Sequence, residues 1–125
     1  MKNDCQVQLI RAIEKASIHW QLAFNTGDAA SCANHYETDA MMHADPFGTF
    51  SGKMAIENFW RKLIDDGFAD VHYIKPNIVA IDNDSAILSA KWTMNYAHGF
   101  IIKKLWVLQK NGTAKLREDH FDAII

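Results

Sequence analysis

Apolar positions in the first fifth of the chain recur with a helical period. Val7, Ile10, Ile13, Ser17, Trp20 and Phe24 fall on one stripe, with Gln6, Arg11, Glu14 and Lys15 off it. This predicts a helix from about Asp4 to Phe24. Asn25-Thr26-Gly27-Asp28 ends it, with Gly27 suited to a C-terminal cap. Asp28 can cap a short second helix over Ala29 to His35. Ala40 to Ala44 reads as a short strand, and Asp45-Pro46-Phe47-Gly48 as a loop punctuated by Pro and Gly. Ser51-Gly52 opens a third helix, whose Ile56, Phe59, Trp60, Leu63 and Ile64 follow the i, i+3, i+4, i+7, i+8 rule. Asp65-Asp66-Gly67 closes it.

Beyond Gly67 the period falls to two. Strand patterns run over about Val71–Ile81, Ser85–Tyr96, Phe100–Lys110 and Lys115–Ile124. The turns between them are Asp82-Asn83-Asp84, Ala97-His98-Gly99 and Asn111-Gly112-Thr113, the last carrying a strong hairpin dipeptide. Pro76 cannot donate a ladder hydrogen bond, so its strand is bent, bulged or at an edge. Helices first and a meander afterwards imply an α+β layer fold. Ala86, Leu88, Ala90, Trp92, Met94 and Tyr96 are expected on one face of their strand. Phe100, Ile102, Lys104, Trp106 and Leu108 are expected on one face of the next. Aromatics collected on a helix-covered face either fill a core or line a cavity. The opposite face is expected to carry Ile87, Ile101, Leu105 and Val107, an apolar surface that suits a homodimer paired through the sheet.

Length and composition narrow the class. The 125 residues, 49% hydrophobic, fit one domain spanning 1–125 that needs no metal or disulfide staple. The formal charge is −2 and basic residues form no block, which argues against nucleic acid. No apolar run has the length of a membrane span, and Met1-Lys2-Asn3-Asp4 leads into a charged helix rather than a signal peptide. The two cysteines, Cys5 and Cys32, read as reduced thiols of a cytoplasmic protein, one disulfide being the alternative.

The order of motifs resembles the NTF2-like superfamily. It consists of Trp20-x-x-Ala23-Phe24-Asn25-x-Gly27-Asp28, Tyr36-x-x-Asp39-Ala40, Asp45-Pro46-x-Gly48 and Ser51-Gly52-x-x-x-Ile56-x-x-Phe59-Trp60. Within the superfamily the chain is similar to SnoaL-like polyketide cyclases and ketosteroid-isomerase-like proteins. The resemblance implies a cystatin-like cone: three helices from the N-terminal half packed on a strongly bent antiparallel sheet of about six strands, around a pocket. It implies sheet-to-sheet dimers and a pocket lined by Trp20, Trp60, Trp92, Tyr96 and Trp106. A ketosteroid-isomerase base in an Asp-Pro loop corresponds to Asp45, but Trp20 and Trp106 stand where that family's Tyr and second Asp would be. An indole N–H cannot reproduce that acidic pair. SnoaL-like cyclases place an acid–base Asp on the last strand, which corresponds to Asp119. Counting from Asn111-Gly112 points Arg117, Asp119, Phe121 and Ala123 inward, and a slip of one residue would turn Glu118 and His120 inward instead.

The candidate catalytic residues are therefore Asp45, Asp119 and His43. A carboxylate in an apolar cone can take a proton from carbon beside a carbonyl. The bland alternative for Asp45 is a turn cap, and for Asp119 an ion pair with Arg117 or Lys104. His43 shares a strand face with Asp45 and can orient it or share its proton work. The six histidines match no helix-borne metal motif, and neither metal nor cofactor is expected. Tyr36 and Tyr96 carry hydroxyls for a substrate oxygen, and an inward Lys104 would suit an anionic ligand. The expected ligand is small, largely apolar and carbonyl-bearing. The expected activity, if any, is cofactor-free isomerisation, cyclisation or dehydration. The alternatives are a non-catalytic binding or dimerisation domain, and an epoxide- or ester-type hydrolase.

Overall fold

Three apolar faces and two glycine-closed helix ends set the architecture. The computed structural model describes residues 4–125. Helix α1 (Asp4–Asn25) buries Leu9, Ile13, Ala16, Ser17, Trp20, Ala23 and Phe24. This is the predicted stripe, broadened by Leu9 and the two alanines, while Val7 and Ile10 are only half-buried. Gly27, at φ 78°, ends the helix. The Asp28 N–H reaches back to the Ala23 carbonyl at 2.8 Å and the Gly27 N–H to that of Phe24 at 3.0 Å, a Schellman closure. Asp28 Oδ1 then accepts the Ser31 N–H at 3.0 Å to start α2 (Ala29–Ala33). Helix α3 (Lys53–Asp65) ends by the same device at Gly67, with the Phe68 N–H bonded to the Leu63 carbonyl.

The strands are β1 (Tyr36–Asp45), β2 (Gly48–Ser51), β3 (His72–Ala80), β4 (Ser85–Thr93), β5 (His98–Leu108) and β6 (Ala114–Asp122). They form one sheet in the order β2-β1-β6-β5-β4-β3. The fold is α+β, three helices on a curved, unclosed six-stranded sheet. The sheet is not wholly antiparallel: β1 runs parallel to β6, because helix α3 and the whole meander intervene between them. The Asp45–Gly48 loop is shorter than expected. β1 continues to Asp45, and a turn through the cis Asp45–Pro46 bond leads into β2, an edge strand absent from the sequence reading.

Irregularities in the ladders bend the sheet. One lies between Ile74 and Asn77, around Pro76 on the edge strand β3. Another, between Ile101 and Lys103, changes which side chains of β5 enter the core. Ile101, Lys104 and Trp106 are buried, whereas Phe100 and Ile102 are exposed on the outer face. The expected single face of Phe100, Ile102, Lys104, Trp106 and Leu108 is thus split by an extra residue. Ile101, expected outside, is inside. A third irregularity, between Leu105 and Trp106, brings Leu105 opposite Glu118 and Trp106 opposite Leu116, so Arg117 is turned outward rather than inward.

Candidate functional site

The inner faces of α1, α3 and strands β3–β6 enclose an apolar pocket. Trp20, Trp60, Tyr73, Trp92, Ile101 and Phe121 are among its walls, and Lys104 brings the one charged side chain into the lining. The pocket holds about 500 Å³ of atom-free space with its mouth included, of which about 40 Å³ admits the centre of a water molecule. The smaller figure describes the narrow interior, room for a few waters. The walls pack ring against ring. Trp20 meets Trp60 edge-on at 4.9 Å between centroids, Trp60 stacks on Phe121 at 5.7 Å, and Trp92 meets Phe121 edge-on at 6.4 Å. Trp92 Nε1 donates to the Asp122 carbonyl at 3.1 Å, which fixes that wall.

Lys104 sits at one end of a buried polar chain. Lys104 on β5 and Asp119 on β6 are direct cross-strand partners. Both face inward, with side chains 3% and 0% exposed. Lys104 Nζ donates to Asp119 Oδ2 at 3.0 Å. The same oxygen accepts the Tyr36 hydroxyl at 2.6 Å, and that hydroxyl accepts Trp60 Nε1 at 3.3 Å. Lys104 Nζ also lies 4.9 Å from the centroid of the Trp20 ring, within cation–π reach.

The electrostatics of this chain follow from burial. Opposite charges at 3.0 Å cancel, so the pair adds no net charge beneath the pocket. Burial, reinforced by the negative charge of Asp119, pushes the Tyr36 hydroxyl well above the ordinary phenol range, so it remains a donor. Burial and the same carboxylate act likewise on Tyr73. Asp119 Oδ1 is buried without a hydrogen-bond partner, as are Trp20 Nε1 and Trp106 Nε1. An acceptor left unengaged beside an ion pair is costly, and such groups are concentrated where a site does work. A primary ammonium has three N–H donors. Lys104 directs one at Asp119, and the described residues supply no second acceptor. The arrangement can hold a carbonyl or hydroxyl oxygen at Lys104 against aromatic walls, with a carboxylate behind the ammonium to exchange its proton.

A model of the SnoaL-like domain matches residues 18–118. The chain belongs to the SnoaL-like family. No curated protein matches it in sequence. Solved structures share its fold at low identity. A candidate scytalone dehydratase from Novosphingobium aromaticivorans superposes with a TM-score of 0.81 at 15% identity, covering 98% of this chain and 88% of that one. A ketosteroid isomerase-like protein from Erwinia carotovora atroseptica gives 0.79 at 16% identity, covering 99% of each chain. An NTF2-like protein with a cystatin-like fold, also from Novosphingobium aromaticivorans, gives 0.78 at 14%, covering 94% of this chain and 83% of that one. At these identities the likeness establishes the cystatin-like fold and no more.

Of the site residues predicted for this SnoaL-like chain, the fold gathers Trp20, Trp60, Trp92 and Lys104 on the pocket, with Tyr36 and Asp119 bonded behind them. Asp45 and His43 are corrections. On β1 the inward positions are Met42 and Ala44, so their neighbours face out. The Asp45 side chain is 61% exposed and its Oδ2 is 2.9 Å from His120 Nε2. His43 Nδ1 lies 3.1 Å from Thr49 Oγ1, and its ring meets His120 edge-on at 5.6 Å. The parallel register that pairs His43 with His120, and Asp45 with Asp122, holds this whole group on the outer face. Glu118 is outside too, 2.6 Å from Lys103. No His, Cys, Asp and Glu cluster suited to a metal occurs among the described residues.

Tyr96 and Trp106 are also corrections. β4 ends at Thr93, and the turn closed by the Met94 N–H on the Ala97 carbonyl carries Tyr96 outside, 64% exposed. Trp106 does face inward, but it is sealed between Ala86 and Leu116 of the flanking strands and does not border the pocket. Sequence reasoning overlooked Tyr73, Ile101 and Phe68 in the lining. Tyr73 had no local signal, because the irregularity between Ile74 and Asn77 is what sets it opposite Trp92, where an unbroken count from the Asp82–Asp84 turn would set Ile74. Ile101 had none, because its facing depends on the bulge that follows it.

Proposed function

We propose that this protein takes a small, largely apolar, carbonyl-bearing molecule into the cone, with the carbonyl oxygen on Lys104. In this reading the chemistry is cofactor-free acid–base isomerisation, cyclisation or dehydration. Lys104 passes one proton to Asp119, takes the proton that leaves the neighbouring carbon, and as an ammonium again stabilises the negative charge developing on the oxygen. Asp119 takes up and returns protons through Lys104, and Tyr36 holds its carboxylate in place. The observation that carries the proposal is a lysine 3% exposed in an otherwise apolar lining, tied to a buried carboxylate with one free oxygen. Support of a weaker kind comes from relatives of the same fold described as dehydratase- and isomerase-like.

Acetophenone is a suitable probe, being a small aromatic ketone with exchangeable α-protons. The wild-type protein should speed their exchange with deuterated water, followed by NMR, and Asp119→Asn should lower that rate by about 10²- to 10⁴-fold. Acetophenone that binds, by quenching of tryptophan fluorescence, but exchanges no faster than in buffer would instead favour a non-catalytic binding module. That second reading draws on Asp45 and His43 lying outside, which leaves the cavity one carboxylate rather than two. We further propose a cytoplasmic homodimer paired through the outer sheet face, where Phe100 and Ile102 are exposed beside Ile87 and Leu105.

A further inference from the structure

We propose that Lys104 is a nucleophile that captures aldehydes or ketones as a Schiff base within the pocket. The inference rests on the ligand pocket proposed above and adds a covalent activity to it. Three features meet at one side chain. Lys104 is among the residues lining an apolar pocket whose walls are aromatic, so a flat carbonyl compound entering it comes beside that side chain. Asp119 Oδ2 lies 3.0 Å from Nζ, close enough to accept the ammonium proton. The pair is almost fully enclosed, and in such surroundings two opposite charges have lost most of their hydration. Desolvated lysines in apolar pockets are the ones that form Schiff bases with carbonyl substrates. Lys103, the next residue, offers the contrast: its side chain is 40% exposed and paired with Glu118 at 2.6 Å on the outer face.

The step balances without any added reactant. The Lys104 ammonium gives one proton to Asp119 and becomes an amine. The nitrogen lone pair adds to the carbonyl carbon, the C=O pair moves onto oxygen, and a proton passes from nitrogen to oxygen to give a carbinolamine. Asp119 returns its proton to the hydroxyl, the C–O bond breaks, and water leaves. The nitrogen lone pair then closes the C=N bond. The products are a protonated imine on Lys104, ionised Asp119 and one water, so charge is conserved and nothing is oxidised or reduced. Tyr36, kept protonated by burial, holds Asp119 Oδ2 during the exchange. Asp119 Oδ2, 3.0 Å from Nζ, is the oxygen that receives and returns the proton. An electron-poor C=N bond so formed would ease loss of a proton or carboxylate from the adjacent carbon, which fits the substrate class of the proposed acid–base chemistry.

The test uses benzaldehyde as probe with sodium cyanoborohydride to reduce any imine to a stable benzylamine. Intact mass followed by peptide mapping gives the occupancy of each lysine. At limiting benzaldehyde, Lys104 should carry about tenfold more adduct than Lys103, because the pocket holds the aldehyde beside the amine. Asp119→Asn should cut labelling at Lys104 by roughly 10²-fold, through loss of the proton acceptor. Toluene, which has the ring but no carbonyl, is tested in parallel by quenching of tryptophan fluorescence. Toluene binding together with labelling confined to Lys103 and other exposed lysines would overturn the Schiff-base inference and leave the pocket reading standing. Failure of both toluene binding and Lys104 labelling would overturn the two together.

Discussion

Replacing Lys104 by Met tests whether the buried pair exists as the structure draws it. Methionine fills a similar volume and adds no charge. Asp119 would keep the Tyr36 hydroxyl at 2.6 Å on Oδ2, lose its cation at 3.0 Å, and still have no partner at Oδ1. A buried pair broken on one side costs about 3–5 kcal/mol, because a charge is left uncompensated. The cation–π contact with Trp20 disappears as well, adding about 0.5–2 kcal/mol. For a chain of this length each kcal/mol lowers the melting temperature by about 3–5 °C. Lys104→Met should therefore melt about 10–35 °C below wild type at pH 7, with urea unfolding followed by tryptophan fluorescence giving the free energy. The double variant Lys104→Met/Asp119→Asn should recover much of the loss, because the charge is gone. A single-variant loss under about 1 kcal/mol, the size of an exposed pair, would refute the reasoning: the pair would be hydrated and the pocket open to bulk water.

Three further outcomes check other parts of the structure. Burial, with a smaller contribution from Asp28, pushes the Cys32 thiol up to about 12, while Cys5 is exposed. At pH 8 a thiol reagent such as DTNB should therefore titrate Cys5 in native protein and Cys32 only in denaturant, and rapid native labelling of Cys32 would contradict its burial. A Cβ on Gly99 would collide with the Asp122 carbonyl oxygen and lie 2.7 Å from its Oδ1. Gly99→Ala should thus cost about 1–3 kcal/mol in chemical denaturation, and an unchanged midpoint would mean that the β5–β6 approach is looser than drawn. Ile102→Glu, on the exposed outer face, should convert the proposed homodimer to monomer in light scattering. A wild-type monomer at micromolar concentration would dispose of the dimer.

Much of the fold was legible because its signals are local. The α3 stripe, the glycines at positions 27 and 67, and Asn111-Gly112 each act within a few residues. The site was legible only in part. Asp119 was placed inward by counting from the Asn111-Gly112 turn, yet the same count failed for Arg117, which an irregularity in the β5–β6 ladder turns out. Phe100 and Ile102 failed for a similar reason. Asp45 failed differently: it was read as part of a loop entering the cone, whereas β1 carries it to the outer face beside His120.

From the sequence alone, then, came every element but β2, their order and the α+β class, while the cone entered through the family resemblance. Hydrophobic period, capping residues and turn residues act over one or two turns of chain and need no knowledge of distant partners. Tertiary structure alone decided which carboxylate is buried and which is wet. A strand's facing inverts with a single extra residue, and whether that residue is accommodated depends on the neighbouring strand. Lys104 meets Asp119 because β5 and β6 pair in one register, and Tyr36 reaches the same oxygen because β1 lies parallel beside β6. Tyr36 and Asp119 are 83 positions apart in the chain, and no local pattern connects them.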